Sequence, residues 1–108
     1  MSDLELVQGT LDLLILKTLA WSPTHGYGVA QWIRERTRDD LQIEDGALYT
    51  ALHRLERRAL IEAEWGVSDN NRKAKYYRLT ADGRKQLRAQ TERWARYTRA
   101  VSAVLQPA

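Results

Sequence analysis

The chain has 108 residues, 44% apolar and 29% charged, with a net charge of +3 and no cysteine. That is room for one domain, and it excludes disulfides, thiolate catalysis and cysteine-ligated zinc. The longest unbroken apolar run, Leu13 to Leu16, is far too short to span a bilayer, and no signal-peptide pattern precedes it. A cytoplasmic chain without membrane contact is the expectation.

The first predicted element is a helix from Thr10 to Trp21. Leu11, Leu14, Ile15 and Leu19 follow helical spacing, and Leu13, Leu16 and Ala20 occupy much of the other side. A helix apolar nearly all round needs cover on two sides, and in so small a domain a partner subunit supplies the second. Ser22-Pro23-Thr24 ends it. His25-Gly26-Tyr27-Gly28 then leads into a second helix, Val29 to about Arg36. Asp45 is read as the N-cap of a third, with Leu48, Ala51, Leu52, Leu55 and Ala59 on one face.

The period then changes. Ile61, Ala63 and Trp65 alternate with Glu62 and Glu64, the repeat of a half-buried strand. Lys75 to Leu79 reads as a second strand, and residues 66–74 as a long polar tip with a basic exit. Thr80 is the expected cap of a final helix of about 25 residues, about 37 Å long. Along it Leu87, Thr91, Trp94, Thr98, Val101 and Leu105 are spaced alternately by four and three, an a/d seam suited to a partner subunit.

The predicted fold is therefore mainly α with a small β-hairpin. Three helices followed by a hairpin is the order of a winged helix-turn-helix, here residues 1–80, with residues 81–108 as a dimerisation helix. In that arrangement the third helix enters the major groove of double-stranded DNA and the hairpin reaches the backbone or minor groove. With Leu48, Leu52 and Leu55 inward, Tyr49, Thr50, His53, Arg54 and Arg57 face outward, donors and flat polar surfaces suited to base edges and phosphates. Asn71, Arg72, Lys73 and Lys75 are the wing candidates. Charge is distributed to match: residues 1–45 hold four cations against eight acids, residues 46–80 seven against four, and residues 81–108 six against two. That asymmetry suits a polyanion on one face, and it is equally the pattern of a solvated basic surface.

Catalysis finds no support. His25 and His53 are the only histidines, with no metal-gathering spacing and no phosphate loop or nucleophile motif, so no enzyme activity, cofactor or metal is expected. The acids before the third helix read as caps and dipole partners. The rival to DNA binding is a winged helix that serves only as a protein-interaction module.

The runs GTLDLLILKTLAWSPTHGYGVAQWI, GALYTALHRLERRALIEAEWG and RKAKYYRLTADGRKQL resemble the PadR family of bacterial transcriptional repressors over nearly the whole chain. The resemblance rests on His25-Gly26-Tyr27-Gly28, Leu48-Tyr49, Leu55-Glu56-Arg57 and Tyr76-Tyr77-Arg78-Leu79-Thr80 taken together, and the length matches the compact branch with one C-terminal helix. It implies a homodimeric repressor that binds an inverted-repeat operator through Tyr49, its neighbours and the basic hairpin, with the first and last helices forming the dimer interface. It implies release by a small effector, flat and aromatic or multidrug-like in some compact members, held against a tryptophan of the last helix. Trp94 matches that position, with Leu11 and Thr98 as its companions in the candidate pocket. Gly9, Leu11 and Asp12 depart from the multidrug type. From the residues alone Trp94 has two readings, filling the seam or stacking on an aromatic guest beside the small Thr91 and Thr98.

Overall fold

Gly9 opens the first helix at φ 86°, a left-handed conformation that glycine takes without steric cost. From there the computed structural model describes residues 9–107. Its elements are α1 (Thr10–Trp21), β1 (Thr24–His25), α2 (Gly26–Arg36), α3 (Asp45–Arg57), β2 (Ile61–Val67), β3 (Lys73–Leu79) and α4 (Ala81–Leu105). The first and last helices have the expected bounds.

The second helix starts three residues earlier than its apolar pattern indicates. His25 is its cap: Nδ1 accepts the Gly28 N–H at 3.0 Å, satisfying a donor that the helix start leaves unpaired. Thr24 and His25 are extended and pair antiparallel with Tyr77 and Tyr76, giving a three-stranded sheet in the order β1-β3-β2 where the sequence showed only a hairpin. A Cβ on Gly28 would overlap the Thr24 side chain, so glycine is what lets strand and helix meet so closely.

The cap of α3 also differs from expectation. Glu44 is the N-cap residue and makes no side-chain capping bond, while Asp45 lies in the first turn, where its charge favours the helix dipole. Ala59, assigned from its spacing to the apolar face, lies beyond the helix end at φ 60° and is exposed. The hairpin pairs Ile61 with Leu79, Trp65 with Lys75 and Val67 with Lys73, so both strands run further toward the tip than expected. The tip proper is Ser68 to Arg72. Trp65, expected on the half-buried face, is 61% exposed because the core ends at Ala63.

That core is assembled from Ile15, Leu16 and Leu19 of α1, Val29 and Ile33 of α2, Leu48, Leu52 and Leu55 of α3, and Ile61, Tyr77 and Leu79 of the sheet. Each fully buried aliphatic side chain stabilises the fold by about 1.5–3 kcal/mol. Leu87 packs against its edge from α4. Thr80 fixes where α4 departs: its N–H donates to the Leu60 carbonyl at 3.1 Å, its hydroxyl donates to the Ala59 carbonyl at 2.7 Å, and its Oγ1 accepts the Gly83 N–H at 3.0 Å. A Cβ on Gly83 would collide with the Leu60 carbonyl, so the helix lies directly on the turn after α3.

Candidate nucleic-acid interface

Helix α3 buries Leu48, Ala51, Leu52 and Leu55, which fixes the rotation of the rest. At about 100° per residue, Thr50, His53 and Arg57 form the ridge opposite the core. Tyr49 and Glu56 lie on the flank toward the sheet, and Arg54 on the flank toward α1. All five sequence-derived candidates are exposed. Their surroundings differ. The Tyr49 ring stands where a Cβ on Gly26 would come within 2.9 Å, so it rests on the start of α2. Arg54 is held by Asp12 of α1, with Nε donating to Oδ2 at 3.3 Å and Nη2 to Oδ1. That hydrogen bond raises the Arg54 pKa. Among the described residues, Arg57 has no carboxylate partner.

The wing is similarly divided. At its tip the Ser68 N–H donates to the Arg72 carbonyl at 2.8 Å, Ser68 Oγ accepts the Arg72 N–H at 3.3 Å, and Asn71 turns the chain at φ 60°, a conformation asparagine tolerates. Asn71, Arg72 and Lys73 are exposed. Lys73 Nζ sits 5.5 Å from the centroid of the Trp65 ring, a cation–π contact across the strands. Lys75 points inward instead: Nζ donates to Glu56 Oε1 at 3.0 Å, tying the wing to α3. That bond raises the Lys75 pKa, and burial raises that of the neighbouring Tyr77 phenol, with the Lys75 charge partly offsetting it. Arg78 is paired with Glu62 at 2.7 Å. Of the cations near the hairpin, Arg72 and Lys73 are therefore the ones left for a phosphate among the described residues.

Between helix and wing lies an open cleft of about 850 Å³ lined by His25, Tyr27, Tyr49, His53, Trp65 and Lys73, among others. His25 packs edge-on to Tyr76 with centroids 5.3 Å apart and near Tyr27 at 6.3 Å. The sequence reading left Tyr27 and Trp65 outside the interface. The signal for Trp65 was its place two residues past the last half-buried strand position, where an indole has no core to enter.

A second concavity, about 360 Å³, lies between the start of α1 and the middle of α4, lined by Gly9, Thr10, Leu13, Gln90, Arg93, Trp94 and Tyr97. Trp94 and Tyr97 face each other at 6.0 Å. Leu11 is absent from this wall and packs against the core, with Leu13 two positions on taking the wall. Thr98 lies one turn beyond, its hydroxyl donating to the Trp94 carbonyl at 3.0 Å, and Thr91 bonds back to Leu87 in the same way at 2.7 Å. Along the seam Leu87 is half-buried, Trp94, Val101 and Leu105 are exposed, and Tyr97 and Val104 beside them are exposed as well.

A winged helix with this C-terminal helix agrees with a family model described as the transcriptional regulator PadR-like family, which matches residues 15–89. The chain belongs to that family. PadR-like proteins are DNA-binding transcriptional regulators rather than enzymes. A transcriptional regulator from Clostridium thermocellum superposes with a TM-score of 0.84 at 27% identity, covering 92% of this chain and 93% of that one. A PadR family transcription regulator from Clostridium difficile R20291 does so with a TM-score of 0.79 at 29% identity, covering 91% and 100%. An uncharacterized protein of Lysinibacillus sphaericus is 35% identical over 91 residues, 84% of each chain. The PadR-like match covers α2, α3, the wing and the first part of α4, the elements that carry the candidate interface residues described above. Among the described residues no helix is long and apolar enough to cross a membrane.

Proposed function

We propose that this PadR-like protein is a homodimeric repressor that binds an inverted-repeat operator and leaves it when a small, flat aromatic compound binds. The observation that carries the DNA-reading part is the shared cleft. His53 of the outer ridge lines one side and Lys73 of the wing the other, and the exposed cations Arg57, Arg72 and Lys73 lack carboxylate partners among the described residues. Helix α3 supplies base-edge contacts from Thr50, His53 and the paired Arg54 and a phosphate contact from Arg57, and the wing supplies further phosphate contacts, with Tyr49, Asn71 and the paired Lys75 at the margins.

Dimerisation is supported by the row of Trp94, Tyr97, Val101, Val104 and Leu105, a run of exposed apolar side chains along one helix that a second copy would cover. The effector would then sit against Trp94 and Tyr97, where two aromatic faces already line a concavity. It would act by binding the DNA-free spacing of the two α3 helices better than the bound spacing.

Selection from a random 30-base-pair library tests the proposal. The expected product is a palindrome with half-sites about one helical turn, or a multiple of it, apart. If the dimer neutralises about eight phosphates, log K falls against log salt with a slope of about −7. Failure to enrich any sequence, together with a flat salt response, would favour a winged helix that binds only protein.

A further inference from the structure

We propose that Asp12 is a specificity-determining positioning residue of the DNA-reading surface: it grips one edge of the Arg54 guanidinium, aims the other edge outward, and withdraws Arg54 from the cations that attract any phosphate. This rests on the DNA-binding reading above and assigns a role to a residue outside both the reading helix and the wing.

The geometry is that of a brace. Asp12 lies 42 residues from Arg54 in sequence and on a different helix, yet both its oxygens take hydrogens from the guanidinium, Oδ2 from Nε and Oδ1 from Nη2. The Asp12 side chain is 13% exposed and that of Arg54 44%, so the anchor is largely enclosed while the far end of the arginine stays open. Asp12 itself has little freedom, because Leu11 before it packs on the core and Leu13 after it lines the wall facing α4. A guanidinium carries five N–H groups in a fixed fork. With Nε and one hydrogen of Nη2 engaged, two of the three remaining hydrogens, one on each Nη, lie on the Nη1–Nη2 edge as a pair of parallel donors with the spacing that suits guanine O6 and N7.

The contrast with Arg57 sharpens the role. Arg57 stands on the outer ridge with no carboxylate partner among the described residues, free to follow a phosphate. Arg54 is neutralised and immobilised on the flank. The two arginines of one helix thus divide the work: Arg57 feeds the electrostatic attraction common to all duplexes, while Arg54 presents a prealigned fork that rewards one base. An unbraced Arg54 would add to the first at the expense of the second.

The test uses the full chain, the duplex recovered by selection from the random library and a shuffled duplex of the same composition, titrated across a salt series below each variant's melting temperature. Asp12→Asn keeps the shape and removes the charge. The expected result is a fall of about 30-fold in the ratio of selected to shuffled affinity, from two base contacts per dimer each weakened about fivefold to sixfold. On the shuffled duplex the salt slope steepens by about 2, from two released arginines per dimer at about 0.9 each. Arg54→Gln lowers the ratio similarly without steepening the slope. An Asp12→Asn protein that keeps its ratio within about twofold, or weakens on both duplexes equally, would make the pair a strut between helices and overturn the proposal. A wild-type protein that enriches no sequence would bring down the DNA-reading itself and this inference with it. Enrichment by the wild type with an unchanged ratio in the variant brings down this inference alone.

Discussion

Lys73 and Lys75 are two residues apart on one strand, and the structure gives them different surroundings. Lys73 is exposed with its ammonium over Trp65, whereas Lys75 is spent on Glu56. If Lys73 neutralises one phosphate, Lys73→Ala removes two such contacts from a dimer. Each is worth a factor of about 8 at 0.1 M salt in the counterion-release limit, so the pair is worth about 60-fold, or about 2.4 kcal/mol. The slope of log K against log salt becomes shallower by about 1.8. The loss is the same on selected and shuffled duplexes, because a phosphate contact carries no base information. Lys75→Ala, by contrast, leaves the slope almost unchanged and acts through the position of the wing. Fluorescence anisotropy with a labelled duplex over a fourfold salt range resolves the difference. Equal changes in slope for the two variants, or none for Lys73→Ala, would refute the division of the wing into a contacting and a bracing lysine.

Leu52→Ala, at a fully buried position, is expected to destabilise the fold by about 2–5 kcal/mol in a urea titration without changing the duplex preference of the molecules that remain folded. Val101→Glu places a charge in the exposed apolar row of α4 and is expected to shift the sedimentation of the free protein from dimer to monomer while the circular dichroism of the fold persists. Alkali provides a further check. The Lys75 and Tyr77 pKa values are both raised in the folded state, so their contributions are fully present below the ordinary lysine and tyrosine range and are lost as pH climbs from that range through the raised folded-state values. Melting temperature is therefore expected to drop above about pH 10, and the drop is expected to be smaller in Tyr77→Phe.

What could be read from the residues alone follows the range of the forces involved. The bounds of α1 and the Thr80 cap of α4 come from neighbours within a turn or two, and both agree with the structure. The winged-helix order and the motifs behind the family resemblance were legible for the same reason. Strand β1 was not. Two residues after a proline have no strand signal of their own, and Thr24 and His25 are extended because β3 offers a free edge. The early start of α2 escaped notice because its cap is a histidine ring nitrogen rather than one of the usual short oxygen-bearing side chains. Spacing identified Arg54 and Lys75 as outward cations but could not reveal that each has an acid waiting, one 42 and the other 19 residues distant. Those pairings exist only after the helices have packed. They change which cations the surface offers.

The bonds that Thr80 makes to Ala59, Leu60 and Gly83 give the molecule a joint with no slack. Helix α4 leaves that joint as a beam of 25 residues, and Trp94 stands about 21 Å along it. Swinging such a beam by about 5° moves the indole by roughly 2 Å, about the thickness added by wedging part of a planar ring between two surfaces. Because the fulcrum is held to the end of α3, the same swing would, in the proposed homodimer, turn that helix relative to its twin. A modest guest far from the duplex would thereby spoil the spacing of both reading heads at once.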